Sequence, residues 1–162
     1  MFIYSIRAST VKICGVILLF AALLTALVVT GQGGVVSAYN PNMDVDYSRI
    51  RSKEDRIGFM ERFGITVDGN SEEEAAFRMP ESFDRVIGGY NELQKKQGLD
   101  LSKYQHKRVT RYTYKVTNYD GEGEVYANLF IHRGKIVACD LSSVDPEGFV
   151  IPLTLVDRGN LK

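Results

Sequence analysis

The first 42 residues contain no aspartate or glutamate, and all 20 acids of the 162-residue chain follow from Asp44. Totals of 20 Lys+Arg against 20 Asp+Glu therefore hide a division, although overall neutrality already argues against a general nucleic-acid binder. An apolar content of 44% excludes a wholly disordered chain. Cysteine is scarce, with only Cys14 and Cys139. The first falls in an apolar run and the second far beyond it, so no internal disulfide is expected, and Cys139, within Ile136-Val137-Ala138-Cys139, reads as a small buried residue. The two histidines, His106 and His132, have no second His or Cys at zinc-ligand spacing. A glycine-rich phosphate loop, a serine nucleophile elbow and a paired metal-ligand motif are all missing, and no cofactor is implied.

One long uncharged run is present. Residues 13–30, ICGVILLFAALLTALVVT, follow Arg7 and Lys12. A helix of that length spans about 27 Å, close to the thickness of a bilayer's hydrocarbon core. With only positive charge before it, the positive-inside rule leaves residues 1–12 as a cytoplasmic flank and places the rest outside a cell membrane crossed once. Val36-Ser37-Ala38 has the small-residue pattern of a signal peptidase site, so a secreted domain cut after Ala38 is the alternative to an uncleaved anchor. Cys14 stands near the start of the apolar run rather than its end, which argues against lipoprotein processing.

Beyond the anchor, residues 31–51 read as a linker, 52–156 as an α+β domain and 157–162 as a tail. Ser52 is a candidate N-cap with Asp55 three residues on, opening a short helix with Ile57, Phe59, Met60 and Phe63 on its buried side. Gly64 ends it, Ile65-Thr66-Val67 is expected as a short strand before the Asp68-Gly69-Asn70 turn, and residues 75–79 as another. Pro80 is expected to start an amphipathic helix carrying Phe83, Val86, Ile87, Tyr90 and Leu93 and closing at Gly98. Its interior pair Gly88-Gly89 is explained if the helix packs closely on a sheet. The period then changes to two. Residues 108–119 place Tyr112, Tyr114 and Val116 on one face against Arg111, Thr113, Lys115 and Thr117. Residues 124–132 place Val125, Ala127, Leu129 and Ile131 together. Arg133-Gly134 reads as a tight turn before a strand over residues 135–142. Asp145-Pro146-Glu147-Gly148 is a type I turn, and Pro152 confines the final strand to an edge or a bulge. The sum is a two-layer domain, helices on an antiparallel meander, in the outline of cystatin-like or PepSY-like folds.

Glu54-Asp55-Arg56-Ile57-Gly58-Phe59, Phe63-Gly64-Ile65-Thr66-Val67 and Met79-Pro80-Glu81-Ser82-Phe83-Asp84 resemble domain-of-unknown-function family 4830. These are exported, membrane-anchored bacterial domains found mainly in Gram-positive spore-forming and gut bacteria. The resemblance continues through Tyr90-Asn91-Glu92-Leu93-Gln94-Lys95-Lys96-Gln97-Gly98, Leu99-Asp100-Leu101-Ser102-Lys103-Tyr104, Arg111-Tyr112-Thr113-Tyr114 and Gly123-Glu124-Val125-Tyr126-Ala127-Asn128-Leu129, about residues 52–148 in all. It implies an amino-terminal membrane segment and one compact domain, and no mechanism.

Charge is unevenly spread over the outer part. Residues 95–115 carry seven cations against Asp100, a net of +6, and residues 68–84 carry six acids against Arg78, a net of −5. Lys103, Lys107, Arg108, Arg111 and Lys115, interleaved with tyrosines, are the candidate face for an anionic wall polymer, anionic lipid or an envelope protein; nucleic acid is disfavoured by location. The bland alternative is mutual neutralisation of the two stretches. Asp120, Glu122 and Glu124 are a weak candidate for a cation and the seat of the alternative enzyme reading, an envelope hydrolase or hydrolase inhibitor. A full calcium loop needs six to eight oxygens, and turns use the same residues. The expected role is a non-catalytic binding module at the cell envelope.

Overall fold

A computed structural model describes residues 44–145 and 148–162. The apolar run at 13–30 and the Ala38 site lie outside these residues, and among the described residues no helix is long and apolar enough to cross a membrane.

Helix α1 (Lys53–Glu61) begins in a capping box: Ser52 accepts from the Asp55 N–H, and the Asp55 carboxylate accepts from the Ser52 N–H. It stops where Gly64 takes φ +82°. Thr66 and Val67 reach the sheet only through an isolated bridge, Val67 to Val116, rather than as the expected strand. Strand β1 (Glu73–Arg78) starts in the acidic stretch, two residues before the pattern predicts. Helix α2 (Arg85–Lys95) starts later than Pro80 because Asp84 is its N-cap, accepting from the Ile87 N–H at 2.8 Å. Gly98, φ +79°, follows its end.

Strands β2 (Arg108–Lys115), β3 (Val125–His132), β4 (Lys135–Ser143) and β5 (Val150–Pro152) follow in order. With β1 they form a five-stranded antiparallel sheet in the order β1-β2-β3-β4-β5. A bulge at Phe130/Ile131 shifts the β3–β4 register. The Gly148 N–H closes the last turn on the Asp145 carbonyl at 2.8 Å, while Pro146 and Glu147 lie outside the described residues. As Pro152 requires, β5 is an edge strand, and a 3₁₀ turn over Leu153–Leu155 follows it.

The α+β class holds, but the helices do not share a layer. Phe59, Met60 and Phe63 pack with Tyr114, Ala127, Leu129 and Leu141 on one side of the sheet. Tyr90 packs with Val109, Phe130, Val137 and Ala138 on the other, flanked by Val86 and Leu93. Since neighbouring residues of a strand point to opposite faces, these are two cores separated by the sheet. The expected two layers become three, because β3 and β4 are buried on both faces.

The outer edge of β4 is covered piecemeal. The Tyr47 carbonyl accepts from the Ile136 N–H at 2.9 Å. Further along, Gln94 Oε1 accepts from the Cys139 N–H at 3.0 Å and Gln97 Nε2 donates to the Cys139 carbonyl at 2.7 Å. The two side-chain amides do there what a longer β5 would do. Residues 44–50 lead to the β3–β4 turn, where the Ile50 N–H donates to the Gly134 carbonyl at 2.9 Å. At the other terminus Tyr119 bridges to Leu161.

Candidate functional site

The register of the sheet sorts the charges by end. At one end Arg78, the last residue of β1, stands directly opposite Arg108, the first of β2. Lys107 precedes it, and the Met79 N–H donates to the Lys107 carbonyl at 2.9 Å. The β2–β3 pairing brings the end of β3 alongside, with His132 Nδ1 2.7 Å from the Arg108 carbonyl oxygen. The two-residue turn Arg133-Gly134 then delivers Lys135, which pairs with His132. Lys103 lies in the 3₁₀ turn Leu101–Tyr104, whose Tyr104 ring meets His132 at 5.6 Å between centroids.

Arg78, Lys103, Lys107, Arg108, Arg133 and Lys135 are all exposed, and among the described residues none of them forms an ion pair. With neighbouring strands about 4.8 Å apart, the array crosses four strands and roughly 15 Å. Among the described residues, two paired acids stand at its margin. Asp46 pairs with Arg49 at 3.0 Å, and Glu81 lies 3.9 Å from His106.

Backbone conformation marks the same end. The non-glycine residues with positive φ among those described are Arg49 (63°), His106 (61°) and Arg133 (49°). All three are basic types and all adjoin this end of the sheet. A left-handed conformation costs an ordinary residue about 1–2 kcal/mol, and glycine or asparagine is the usual choice at the first central position of such a hairpin turn.

Two of the sequence candidates do not belong to the array. Arg111 is buried at 7% exposure on the α2 side of the sheet, where burial lowers its pKa and the charge of Asp140 opposes that. The strand's second face is covered by α2 rather than water, so the alternation that pointed Arg111 to solvent points it into a core. Lys115 ends β2 at the opposite edge of the molecule and hydrogen-bonds Glu124. Lys103, Lys107 and Arg108 remain, joined by Arg78, Arg133 and Lys135. Those three escaped sequence reading because strand order, not sequence distance, assembles them. The Arg-Gly turn was the one available signal.

At the acidic end, Asp120 pairs with Lys162 at 2.7 Å, and Glu124 accepts from Lys115 and, at 2.9 Å, from the Tyr126 hydroxyl. Glu122 is exposed in the same loop. Hydrogen bonding by Lys115, then by Tyr126, holds the Glu124 carboxyl below its ordinary range. So placed, it is a weak proton donor and a weak base near neutral pH. Among the described residues no group of three or more His, Cys, Asp or Glu is placed to hold a metal ion.

Sequence reading missed two buried polar clusters. On the α2 side Asp140, with no exposure, accepts from the Tyr90 hydroxyl at 2.5 Å and from Asn128 Nδ2 at 2.8 Å. Asn128 continues to Ser142 at 3.0 Å and Thr113 at 2.8 Å. Burial raises the Asp140 pKa to about 6 against the hydrogen bonds from Tyr90 and Asn128 and the charge of Arg111. An acid inside the apolar run Val137-Ala138-Cys139-Asp140-Leu141 was the signal for it. Closed to solvent, it has no substrate within reach.

On the α1 side Arg56 donates to the Tyr114 hydroxyl at 2.8 Å and to Glu72 at 2.9 Å, and lies 3.7 Å over the Tyr112 ring. Tyr114 donates in turn to Glu72. Burial works to raise the Glu72 pKa, but the bonds from Tyr114 and Arg56 outweigh it and leave it lowered. Both clusters satisfy buried polar groups between elements, which is a structural task.

The sequence profile of a family described as "Domain of unknown function (DUF4830)" matches residues 59–141, 83 of the 162 residues. No curated protein and no solved structure matches the chain.

Proposed function

The chain belongs to the DUF4830 family, whose description assigns no activity, and we propose that it is a non-catalytic binding module of the cell envelope, held outside the membrane by residues 13–30. In this reading the cationic end of the sheet is the binding surface, taking an envelope protein or another anionic component. One observation carries it: Arg78, Arg108 and Lys135 from three strands, with Lys103, Lys107 and Arg133 from the adjoining turns, are six exposed cations that form no ion pair among the described residues, whereas Lys115 and Lys162, at the opposite end, are both neutralised by acids. A solvated face with no task would be expected to mix its signs.

Location rests on the uncharged run, its positive flank and the acid-free first 42 residues. Cleavage after Ala38 would release the same binding surface in secreted form. The cystatin-like or PepSY-like outline is an analogy of architecture, and the helices on opposite faces of the sheet weaken it.

The test is recovery of envelope partners from intact cells by crosslinking, with the wild-type chain and with Lys107→Glu, Arg108→Glu and Arg133→Glu combined. Loss of partners from the variant is expected; an unchanged set would reject the cationic end as a protein-binding surface. Digestion of residues 44–162 by protease added to intact cells checks the orientation, and full protection there would reverse it.

A further inference from the structure

Membrane and cationic surface are connected by the path of the chain. Only thirteen residues separate Thr30, the end of the apolar run, from Asp44. Fully extended they reach at most about 45 Å. Six residues after Asp44, the Ile50 N–H is bonded to the carbonyl of Gly134, in the turn that carries Arg133 and leads into Lys135. Along the chain, Asp44 is therefore no more than about 20 Å from that turn. A domain tethered so closely samples its own bilayer surface at a high effective concentration.

The shape of the array suits a surface better than a single small anion. Its cations spread over strand ends and turns across β1 to β4. Arg78 faces Arg108 across two strands, a like-charge pairing that destabilises a sheet when nothing neutralises it. Arg133 holds a left-handed conformation that glycine or asparagine would adopt more readily. Both local penalties lie at the end nearest the tether and both maintain exposed positive charge there, as conformational strain does at sites kept for a function.

We propose that this end of the sheet docks on anionic phospholipid headgroups of the membrane that carries the anchor. The inference rests on the reading of residues 13–30 as that anchor. Docking turns the cationic end toward the bilayer and the opposite end, with Asp120, Glu122 and Glu124, away from it, so the charge segregation of the sequence becomes an orientation. Each cation brought to a negative surface strengthens binding several-fold, and the attraction decays within a Debye length of about 8 Å at physiological salt.

The experiment uses the full chain reconstituted into phosphatidylcholine vesicles and into vesicles that also contain phosphatidylglycerol, with lysine acetylation followed by peptide mass spectrometry. Acetylation of Lys103, Lys107 and Lys135 is expected to fall about tenfold with phosphatidylglycerol and to recover in high salt, while Lys115 and Lys162, paired with Glu124 and Asp120 at the opposite end, stay unchanged. Lys107→Gln, Arg108→Gln and Arg133→Asn together should abolish the protection of Lys103 and Lys135. Lys115→Gln and Lys162→Gln together should leave it intact.

Equal acetylation in the two vesicles overturns the proposal, and the wild-type comparison decides this even where a variant fails to fold. Protection by soluble poly(glycerol phosphate) but not by phosphatidylglycerol also overturns it, in favour of a polymer. Flotation with phosphatidylcholine vesicles reports the anchor separately. A chain that does not float loses the anchor reading, yet protection by added phosphatidylglycerol vesicles would still support headgroup docking.

Discussion

The Tyr90 hydroxyl donates to Asp140 Oδ2 at 2.5 Å, joining α2 to β4 across fifty residues of sequence. Asp140 is fully enclosed, and burial raises its pKa from 3.8 to about 6. A carboxyl whose folded-state pKa is raised binds its proton more tightly folded than unfolded. Its contribution to stability is greatest below the unfolded value and is lost as pH rises through the folded one. Between about pH 4 and pH 6 ionisation should therefore remove roughly 3 kcal/mol from this group's contribution. Asp140→Asn removes the titration. Urea unfolding at several pH values should show the advantage of wild type over Asp140→Asn shrinking from pH 4 to pH 7, and a constant difference would contradict the assignment.

Gly88 lies inside α2, and a Cβ built there meets no atom within 4 Å. Close packing, the explanation its place in the sequence invites, is not what keeps it. Gly88→Ala should raise stability by about 1 kcal/mol, read as a higher urea midpoint with an unchanged slope.

Arg133, with φ 49°, and Gly134, with φ 74°, form the two-residue turn between β3 and β4. Asparagine accepts such a turn more readily than arginine. Arg133→Asn is expected to stabilise the fold by about 0.5–1 kcal/mol while weakening attachment to an anionic surface. Thermal unfolding and vesicle binding, measured on the same variant, should move in opposite senses.

Cys139 is fully buried beneath Gln94 and Gln97, with Gln97 Oε1 3.6 Å from its sulfur. Burial and then the charge of Asp140 push its thiol well above the ordinary value. With Cys14→Ser to remove the other thiol, the native chain should resist thiol reagents and react only as it unfolds. Gln97→Ala, which strips hydrogen bonds from Cys139 and Thr154, should cost about 1–3 kcal/mol and speed that reaction.

How far the sequence alone reaches can be followed residue by residue. The Ser52 capping box, the Arg133-Gly134 turn, the edge position of Pro152 and the faces of β2 and β3 were legible because each depends on neighbours a few residues apart. The start of α2 was misplaced by a competition between two local signals, since Pro80 is tolerated in a first turn but Asp84 supplies the hydrogen bond that begins one. Arg111 was assigned to solvent because period two says which residues share a face and nothing about what covers it.

By itself the sequence determined the α+β class, the meander, the family and the division between an acid-free beginning and an acid-bearing remainder, because these follow from periodicity, turn chemistry and composition. Only the tertiary structure decided that the helices take opposite faces and that Asp140 is sealed against Tyr90. It alone decided, too, that Arg78, Arg108, Arg133 and Lys135 form one surface while Lys115 belongs to the other end. The reason is physical: strand pairing sets residues about 5 Å apart whatever their separation along the chain, so an electrostatic surface belongs to the register and not to the sequence stretch in which its charges are counted.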